Sequence, residues 1–171
     1  PNHEKIKSLS PAFIENGTIT AATSSPISIG AAAILVTSEK FAKENNLDSR
    51  ATIKARAVAG VHWDRMGMGP LPATEKALSK SNLKIDDIQS IELNEAFAAQ
   101  VISVNKELGF TQDKINVNGG AIALGHPIGA SGARILVSLI HEMQKRKLKK
   151  GLATLCIGGG MGIAMCIERD F

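Results

Sequence analysis

Apolar positions along the chain follow two periods, and the switches between them predict a series of strands and helices. Apolar or alternating runs of seven to ten residues, bounded by turn residues, predict five strands. Apolar residues at helical spacing predict four helices between them. The strands are expected at 31–38, 51–60, 88–95, 151–157 and 161–169, and the helices at 39–46, 72–82, 96–109 and 134–147.

This order of elements predicts an α/β fold: a five-stranded, mixed and mostly parallel sheet with helices on both faces. Three glycines at 158–160 join the last two strands, and so short a connection favours an antiparallel hairpin. Residues 1–30 are irregular and rich in turn residues, so we expect an entry segment there. Residues 31–171 are expected to form one domain, since no linker divides them.

Composition and charge exclude several classes of protein. With 44% hydrophobic and 21% charged residues, the 171-residue chain is not disordered, and no run of 18 apolar residues predicts a membrane span. The net charge of +4 comes from the basic cluster at 145–150, which suits the carboxyl end of a helix. Aromatic residues are only 4%, so we expect no nucleic-acid-binding face.

The two cysteines bear on metal binding and on the compartment. Cys156 and Cys166 form no CxxC pair, and no histidine lies at ligand spacing from either, so we expect no metal site. Two cysteines and no secretion signal favour a reduced, cytoplasmic protein. The chain begins at Pro1 rather than Met, and we expect it to be part of a longer protein.

Three segments carry candidate chemistry, and each also has a purely structural interpretation. Asn94 opens the run NEAF where a strand meets a helix, which is where open α/β sheets bind ligands, but it is also a possible N-cap. His126 lies in a glycine-rich loop that lacks the Lys-Ser/Thr of a phosphate loop; it is suited to proton transfer or to a structural role. Cys156 precedes three glycines and is either a packed apolar residue or a thiolate stabilised by backbone N–H groups.

Together the three segments resemble the carboxyl-terminal half of the thiolase family. NEAFAAQ is similar to its Asn-Glu-Ala-Phe motif, NVNGGAIALGHPIGASGAR to its Gly-His-Pro signature, and LCIGGGMGIAMCIE to its terminal Cys-x-Gly signature. The likeness extends back through MGMGPLPAT to PAFIENGTITA, so it covers nearly the whole chain. It implies a layered thiolase fold, and an acyltransferase that catalyses a reversible Claisen condensation of coenzyme A thioesters.

The resemblance also implies roles for individual residues. His126 would take the proton of a nucleophilic cysteine that belongs to the family's amino-terminal half, and would donate to the thioester oxygen together with a water held by Asn94. Cys156 would exchange a proton with the methyl group of acetyl-CoA, and the N–H of Gly158 would bind the acyl oxyanion. Without the nucleophile, the chain alone is expected to be inactive.

Coenzyme A is expected as a substrate, with no covalently bound cofactor and no metal. Phe13, Ser25, Met66 and Phe97 match the family's coenzyme A contacts, although packing is the alternative for each. One stretch departs from the family pattern, because an Asn-Asp pair is replaced by Ser28-Ile29 before the Gly-Ala-Ala run. That change affects local hydrogen bonding and leaves the three motifs intact.

Other functions and partners follow from the same resemblance. One alternative is a non-catalytic thiolase-like module that binds acyl-CoA or lipid, and another is a decarboxylating condensing enzyme with two catalytic histidines. The presence of Asn94, His126 and Cys156 together favours the thiolase. The expected partners are acyl-CoA, the amino-terminal thiolase half and further copies in a homo-oligomer.

Overall fold

A computed structural model describes residues 2–170. The strands are β1 (Thr52–Gly60), β2 (Ser90–Leu93), β3 (Lys150–Ile157) and β4 (Met161–Glu168). The α-helices are α1 (His3–Lys7), α2 (Glu39–Glu44), α3 (Pro70–Ser81), α4 (Ala98–Leu108), α5 (Ala121–Leu124) and α6 (Ser131–Lys145). Short 3₁₀ helices lie at Ala21–Thr23, Trp63–Met68, Ile85–Asp87 and Gln112–Lys114.

The four strands form one mixed sheet in the order β1-β4-β3-β2. β4 runs antiparallel to both of its neighbours, and the predicted hairpin closes where Ile157 pairs with Met161. β2 and β3 are parallel, with Leu93 opposite Thr154. The α/β fold and the antiparallel hairpin are therefore confirmed.

Two details of the predicted sheet are wrong. The sheet has four strands rather than five, because residues 31–38 have no regular secondary structure and pair with no strand in the described chain. Two of the three strand pairs are antiparallel, so the sheet is not mostly parallel. The physical reason is the position of β4: it turns back sharply after β3 and inserts beside β1, which sets the direction of both pairings.

Helices cover both faces of the sheet, as predicted. Because side chains alternate along a strand, Leu152 points to one face and its neighbour Ala153 to the other. Buried residues of α3 and α4 pack on the first face, and Ile135, Leu139 and Met143 of α6 pack on the second. In the described residues, no helix is both long and apolar enough to cross a membrane.

A close backbone approach fixes the start of α3 against β4. A Cβ added at Gly162 would lie 2.0 Å from the carbonyl oxygen of Gly69, so no side chain fits there. Pro70 follows at the first helical position, where its missing N–H costs no hydrogen bond. At the other end, Asn82 adopts a left-handed conformation with φ of 54°. Gly69 and Gly162 thus allow the start of α3 to lie directly against the sheet.

Candidate active site

The parallel pair of strands brings two of the predicted site residues to one edge of the sheet. Asn94 follows β2 directly, and its N–H donates to the carbonyl oxygen of Thr154 at 3.0 Å. Cys156 lies two residues further along β3, near its carboxyl end. Because parallel strands end at the same edge, the Asn94 amide and the Cys156 thiol belong to one region of the molecule.

Asn94 is not the N-cap of the following helix. α4 begins at Ala98 with Phe97 at its N-cap, so the capping interpretation is wrong. The Asn94 side chain is buried, with 1% of its surface exposed, and its Oδ1 accepts a hydrogen bond from Nη2 of Arg134 at 3.3 Å. The Asn94 side chain is therefore a buried polar group whose oxygen is hydrogen-bonded to an arginine and does not cap α4.

Glu95 fastens the glycine-rich loop to the end of β2. Its Oε2 accepts from the N–H of Ile122 at 3.1 Å, and its Oε1 from Nδ2 of Asn116 at 3.0 Å. Asn116 also bonds both backbone polar groups of Leu93. A Cβ at Gly120 would lie 2.0 Å from the Glu95 carboxyl carbon, so this glycine makes room for the carboxylate. This role of Glu95 was not predicted from the sequence, where its position beside Asn94 was the available clue.

The hydrogen bonds around His126 select one tautomer of its ring. Nδ1 lies 2.6 Å from Oγ of the fully buried Ser131, and that hydroxyl donates to the carbonyl oxygen of Pro127 at 3.0 Å. Since a serine has one hydroxyl proton, it accepts from Nδ1–H when it donates to Pro127. The lone pair is then on Nε2, where it can take a proton.

Burial and a nearby charge keep the His126 ring neutral. The side chain is half-buried, and burial, followed by the positive charge of Arg134, lowers the pKa of His126. A neutral imidazole at neutral pH is the form required of a general base. The geometry therefore supports proton transfer by His126, and not only a structural role.

Cys156 is half-buried at the end of β3, and burial raises the pKa of its thiol above the ordinary value. A backbone hydrogen bond acts in the opposite direction but is the smaller effect. The interpretation as a stabilised thiolate is therefore not supported, because the resting thiol stays protonated at neutral pH. Cys166 is fully buried in the core between the sheet and α3.

Gly158 opens the turn between β3 and β4 and has free space around it. A Cβ added there would meet no atom within 4 Å. Gly159 and Gly160 follow with φ of 82° and 86°, a conformation that favours glycine. The carbonyl oxygen of Gly160 accepts from the N–H of Val61 at 2.7 Å, which holds the turn against the segment after β1. The turn thus leaves backbone open to a ligand beside Cys156.

Three of the four predicted coenzyme A contacts lie together. The rings of Phe13 and Phe97 meet edge to face, with centroids 5.8 Å apart, and line an apolar cavity of about 370 Å³. Ser25 donates both its N–H and its hydroxyl to the carbonyl oxygen of Ala96, the residue before Phe97. Met66 is in the neighbouring 3₁₀ helix Trp63–Met68, which packs on α4.

A buried ion pair behind Asn94 was not found from the sequence. Glu92 in β2 is 2% exposed, and its Oε2 lies 3.7 Å from Nη1 of Arg134 in α6. Burial raises the pKa of Glu92 to about 7; the Arg134 charge opposes this, and the carboxylates of Glu95 and Glu142 add to it. A glutamate within a buried apolar strand was the clue in the sequence.

Comparison with known families identifies the chain. The model described as "Thiolase, C-terminal domain" matches residues 47–169, which is more than half of the chain. The chain belongs to the thiolase family. The model described as "Thiolase, N-terminal domain" matches residues 2–40.

Curated thiolase relatives agree over nearly the whole chain. An acetyl-CoA acetyltransferase of Chromobacterium violaceum is 57% identical over 164 residues, covering 96% of this chain and 42% of that protein. An acetyl-CoA acetyltransferase of Escherichia coli is 58% identical over 166 residues, covering 97% and 42%. The chain thus spans less than half the length of these relatives.

Solved thiolase structures have the same fold. The acetyl-CoA acetyltransferase of Bacillus anthracis superimposes with a TM-score of 0.94 at 49% identity, over 96% of this chain and 42% of that one. Human mitochondrial 3-ketoacyl-CoA thiolase in complex with CoA gives 0.93 at 38% identity, over 100% and 43%. The thiolase-like layered fold that the sequence predicted is therefore confirmed.

Proposed function

We propose that this chain is the half of a thiolase that supplies the acid, the base and the oxyanion donors of a reversible Claisen condensation. The observation that carries the proposal is the state of His126: Ser131 holds its Nδ1, burial keeps it neutral, and Nε2 is left to accept a proton. Membership of the thiolase family supplies the reaction, with acyl-CoA as the substrate.

His126 acts first, on a cysteine thiol of the amino-terminal half. Nε2 takes the thiol proton, and the thiolate attacks the acyl carbon of the thioester to form an acyl-enzyme. Coenzyme A departs as its thiolate, which takes the proton of the Cys156 thiol. The protonated Nε2 then becomes a donor. With a water held by Asn94, it stabilises the negative charge that develops on the thioester oxygen of acetyl-CoA.

Cys156 exchanges the second proton. In condensation the Cys156 thiolate left by that transfer takes a proton from the methyl group of acetyl-CoA. The carbanion then attacks the acyl carbon of the acyl-enzyme and expels the nucleophilic thiolate, which regains its proton from His126. In thiolysis the Cys156 thiol returns the methyl proton to the departing acetyl-CoA. The raised pKa of the thiol suits this role, because a weaker acid has a conjugate base strong enough to remove a carbon-bound proton. The N–H of Gly158, with open space before it, would donate to the acyl oxyanion.

The apolar cavity beside Phe13 and Phe97 is the proposed site for the pantetheine arm of coenzyme A. An uncharged chain of this kind gains most of its affinity from burial against aromatic and aliphatic side chains. Ser25 and Met66 would complete the contacts from either side. The CoA complex of the related human thiolase supports coenzyme A as the ligand class.

The remainder of the protein is the proposed partner. Residues 31–38 are mostly exposed, with Leu35 79% and Val36 66% exposed, and an apolar run of this kind is typical of a strand buried on both faces. The amino-terminal thiolase half would cover it and wall the site. We also propose that the complete protein forms a homo-oligomer in a reducing cytoplasm, where the thiols remain free.

The test joins this chain to the nucleophile. The amino-terminal half of the Escherichia coli relative, fused or co-expressed with this chain, should restore acyl-enzyme formation from acetyl-CoA. His126→Ala should abolish the burst of acylation, whereas His141→Ala, the same change on α6, should retain it. An intact burst in folded His126→Ala would contradict the assignment. Binding of acyl-CoA with no acylation by the wild-type pair would favour the non-catalytic module.

A further inference from the structure

Arg134 stands between the sheet and the candidate catalytic residues, and its position is not explained by helix stability. It lies in the first turn of α6, where the helix dipole disfavours a positive charge. Its guanidinium turns towards the end of β2: Nη2 donates to Oδ1 of Asn94 at 3.3 Å, and Nη1 lies 3.7 Å from Oε2 of Glu92. The side chain is only 19% exposed.

This contact decides which way the Asn94 amide faces. A guanidinium has donors only, so the atom that it contacts must be the amide oxygen. Nδ2 of Asn94 is then turned the other way, and it is buried without a hydrogen-bond partner within residues 2–170. An unpartnered buried donor is costly, which indicates that it is kept for a group that arrives with the substrate.

We propose that Arg134 is a positioning residue for the reaction: it holds the Asn94 amide in the single orientation that directs Nδ2 to the water facing the developing oxyanion. The inference rests on the proposed function of Asn94. Without Arg134, the two orientations of the amide become nearly equivalent. The donor is then correctly oriented for only part of the time.

Two further contacts support this role. The charge of Arg134 also lowers the pKa of His126, so one guanidinium acts on both residues that would face the thioester oxygen. Glu92 on β2 lies behind the guanidinium at ion-pair distance without a hydrogen bond to it, and Glu95 and Glu142 are the other carboxylates that act on Glu92. Arg134 thus links α6 to the end of β2.

Magnetic resonance of the labelled chain tests the positioning directly. The side-chain amide and Cγ resonances of Asn94 should move in both Arg134→Gln and Arg134→Lys, because neither side chain reproduces the planar donor pair. The His126 pKa should rise in Arg134→Gln and change less in Arg134→Lys, which keeps the charge. Arg146→Gln and Arg146→Lys, at the carboxyl end of the same helix, are the matched controls and should leave both readouts unchanged.

The outcomes separate clearly. Unchanged Asn94 resonances in either folded Arg134 variant would overturn the proposal, and the lysine variant is the test if the glutamine variant unfolds. Two sets of Asn94 amide signals in the wild-type chain would overturn it regardless of the variants, because they would show two orientations in exchange. One set of signals that changes only on substitution at Arg134 supports it.

Kinetics of the chain paired with the amino-terminal half distinguish this inference from the proposed function. Arg134→Lys should lower kcat by at least about 2-fold with little change in KM, since two nearly equivalent amide orientations leave the donor correctly placed only about half of the time. If His126→Ala is inactive but Arg134→Lys behaves as wild type, only the positioning role fails. If His126→Ala remains active, the proposed function itself fails.

Discussion

Glu92 makes the stability of the chain depend on pH in a direction unusual for a carboxylate. Its pKa is raised from 4.5 to about 7, mainly by burial. The folded chain therefore keeps a proton on Glu92 that the unfolded chain loses as the pH rises above 4.5. Stability that is present at low pH is lost as the pH rises from about 4.5 to about 7.

The size of the effect follows from the shift. One pKa unit corresponds to about 1.4 kcal/mol, so a shift of about 2.5 units removes about 3 kcal/mol once both states are ionised. At pH 5 about a quarter of the loss has occurred, and by pH 8 it is nearly complete. Glu92 should therefore lower the free energy of unfolding by about 2–3 kcal/mol between pH 5 and pH 8.

The assay is urea-induced unfolding at pH 5 and pH 8 for the wild type and Glu92→Gln. Glutamine keeps the shape of the side chain and cannot ionise, so the difference between the two proteins isolates Glu92 from every other titrating group. Glu107→Gln, the same change on an exposed position of α4, measures the effect of the substitution itself. An equal pH dependence in wild type and Glu92→Gln would refute the reasoning, because Glu92 would then ionise equally easily in both states.

The remaining predictions concern the loop, the tautomer and the chain on its own. Gly120→Ala should destabilise the chain by about 2–3 kcal/mol in chemical unfolding, because the new Cβ displaces the Glu95 carboxylate from its two donors. Gly129→Ala, where a Cβ meets nothing within 4 Å, should have little effect, and equal effects of the two changes would contradict the fit of Glu95 against Gly120. Ser131→Ala should convert the His126 ring from one tautomer to a mixture, read from its ¹⁵N chemical shifts, and an unchanged ring would remove Ser131 from the site. The purified chain alone should show no cleavage of 3-ketoacyl-CoA, and turnover that His126→Ala abolishes would contradict the need for a second half. The chain should also self-associate through residues 31–38, and Leu35→Lys should reduce the size of the assemblies measured by light scattering.

Local patterns were sufficient to predict most elements and the candidate catalytic residues. The run RILVSLIHEMQK has helical spacing on its own, and α6 forms there. Asn94 and Cys156 could be expected at strand ends because each follows an apolar run closed by turn residues. These features depend on neighbours within about ten positions, which the sequence displays directly.

Long-range features were out of reach for the same physical reason. Glu92 and Arg134 meet across 42 positions of chain, and no spacing rule links a strand residue to a particular helix turn. The pairing of β4 with β1 joins two segments that are far apart in the chain, and neither strand's own residues specify it. Residues 31–38 have the composition of a strand, but strand formation needs partners, and the described chain contains none for them.

The central claim is that two separate groups transfer the two protons, and hydrogen exchange at the substrate methyl tests it most directly. In the chain paired with the amino-terminal half, Cys156→Ala should still give the acylation burst, because His126 activates the nucleophile and solvent can protonate the departing coenzyme A. The same variant should lose the exchange of acetyl-CoA methyl hydrogens with deuterated solvent, since no group remains to take that proton. Cys166→Ala, which removes the buried core thiol instead, should retain both. Methyl exchange at the wild-type rate in Cys156→Ala would contradict the account.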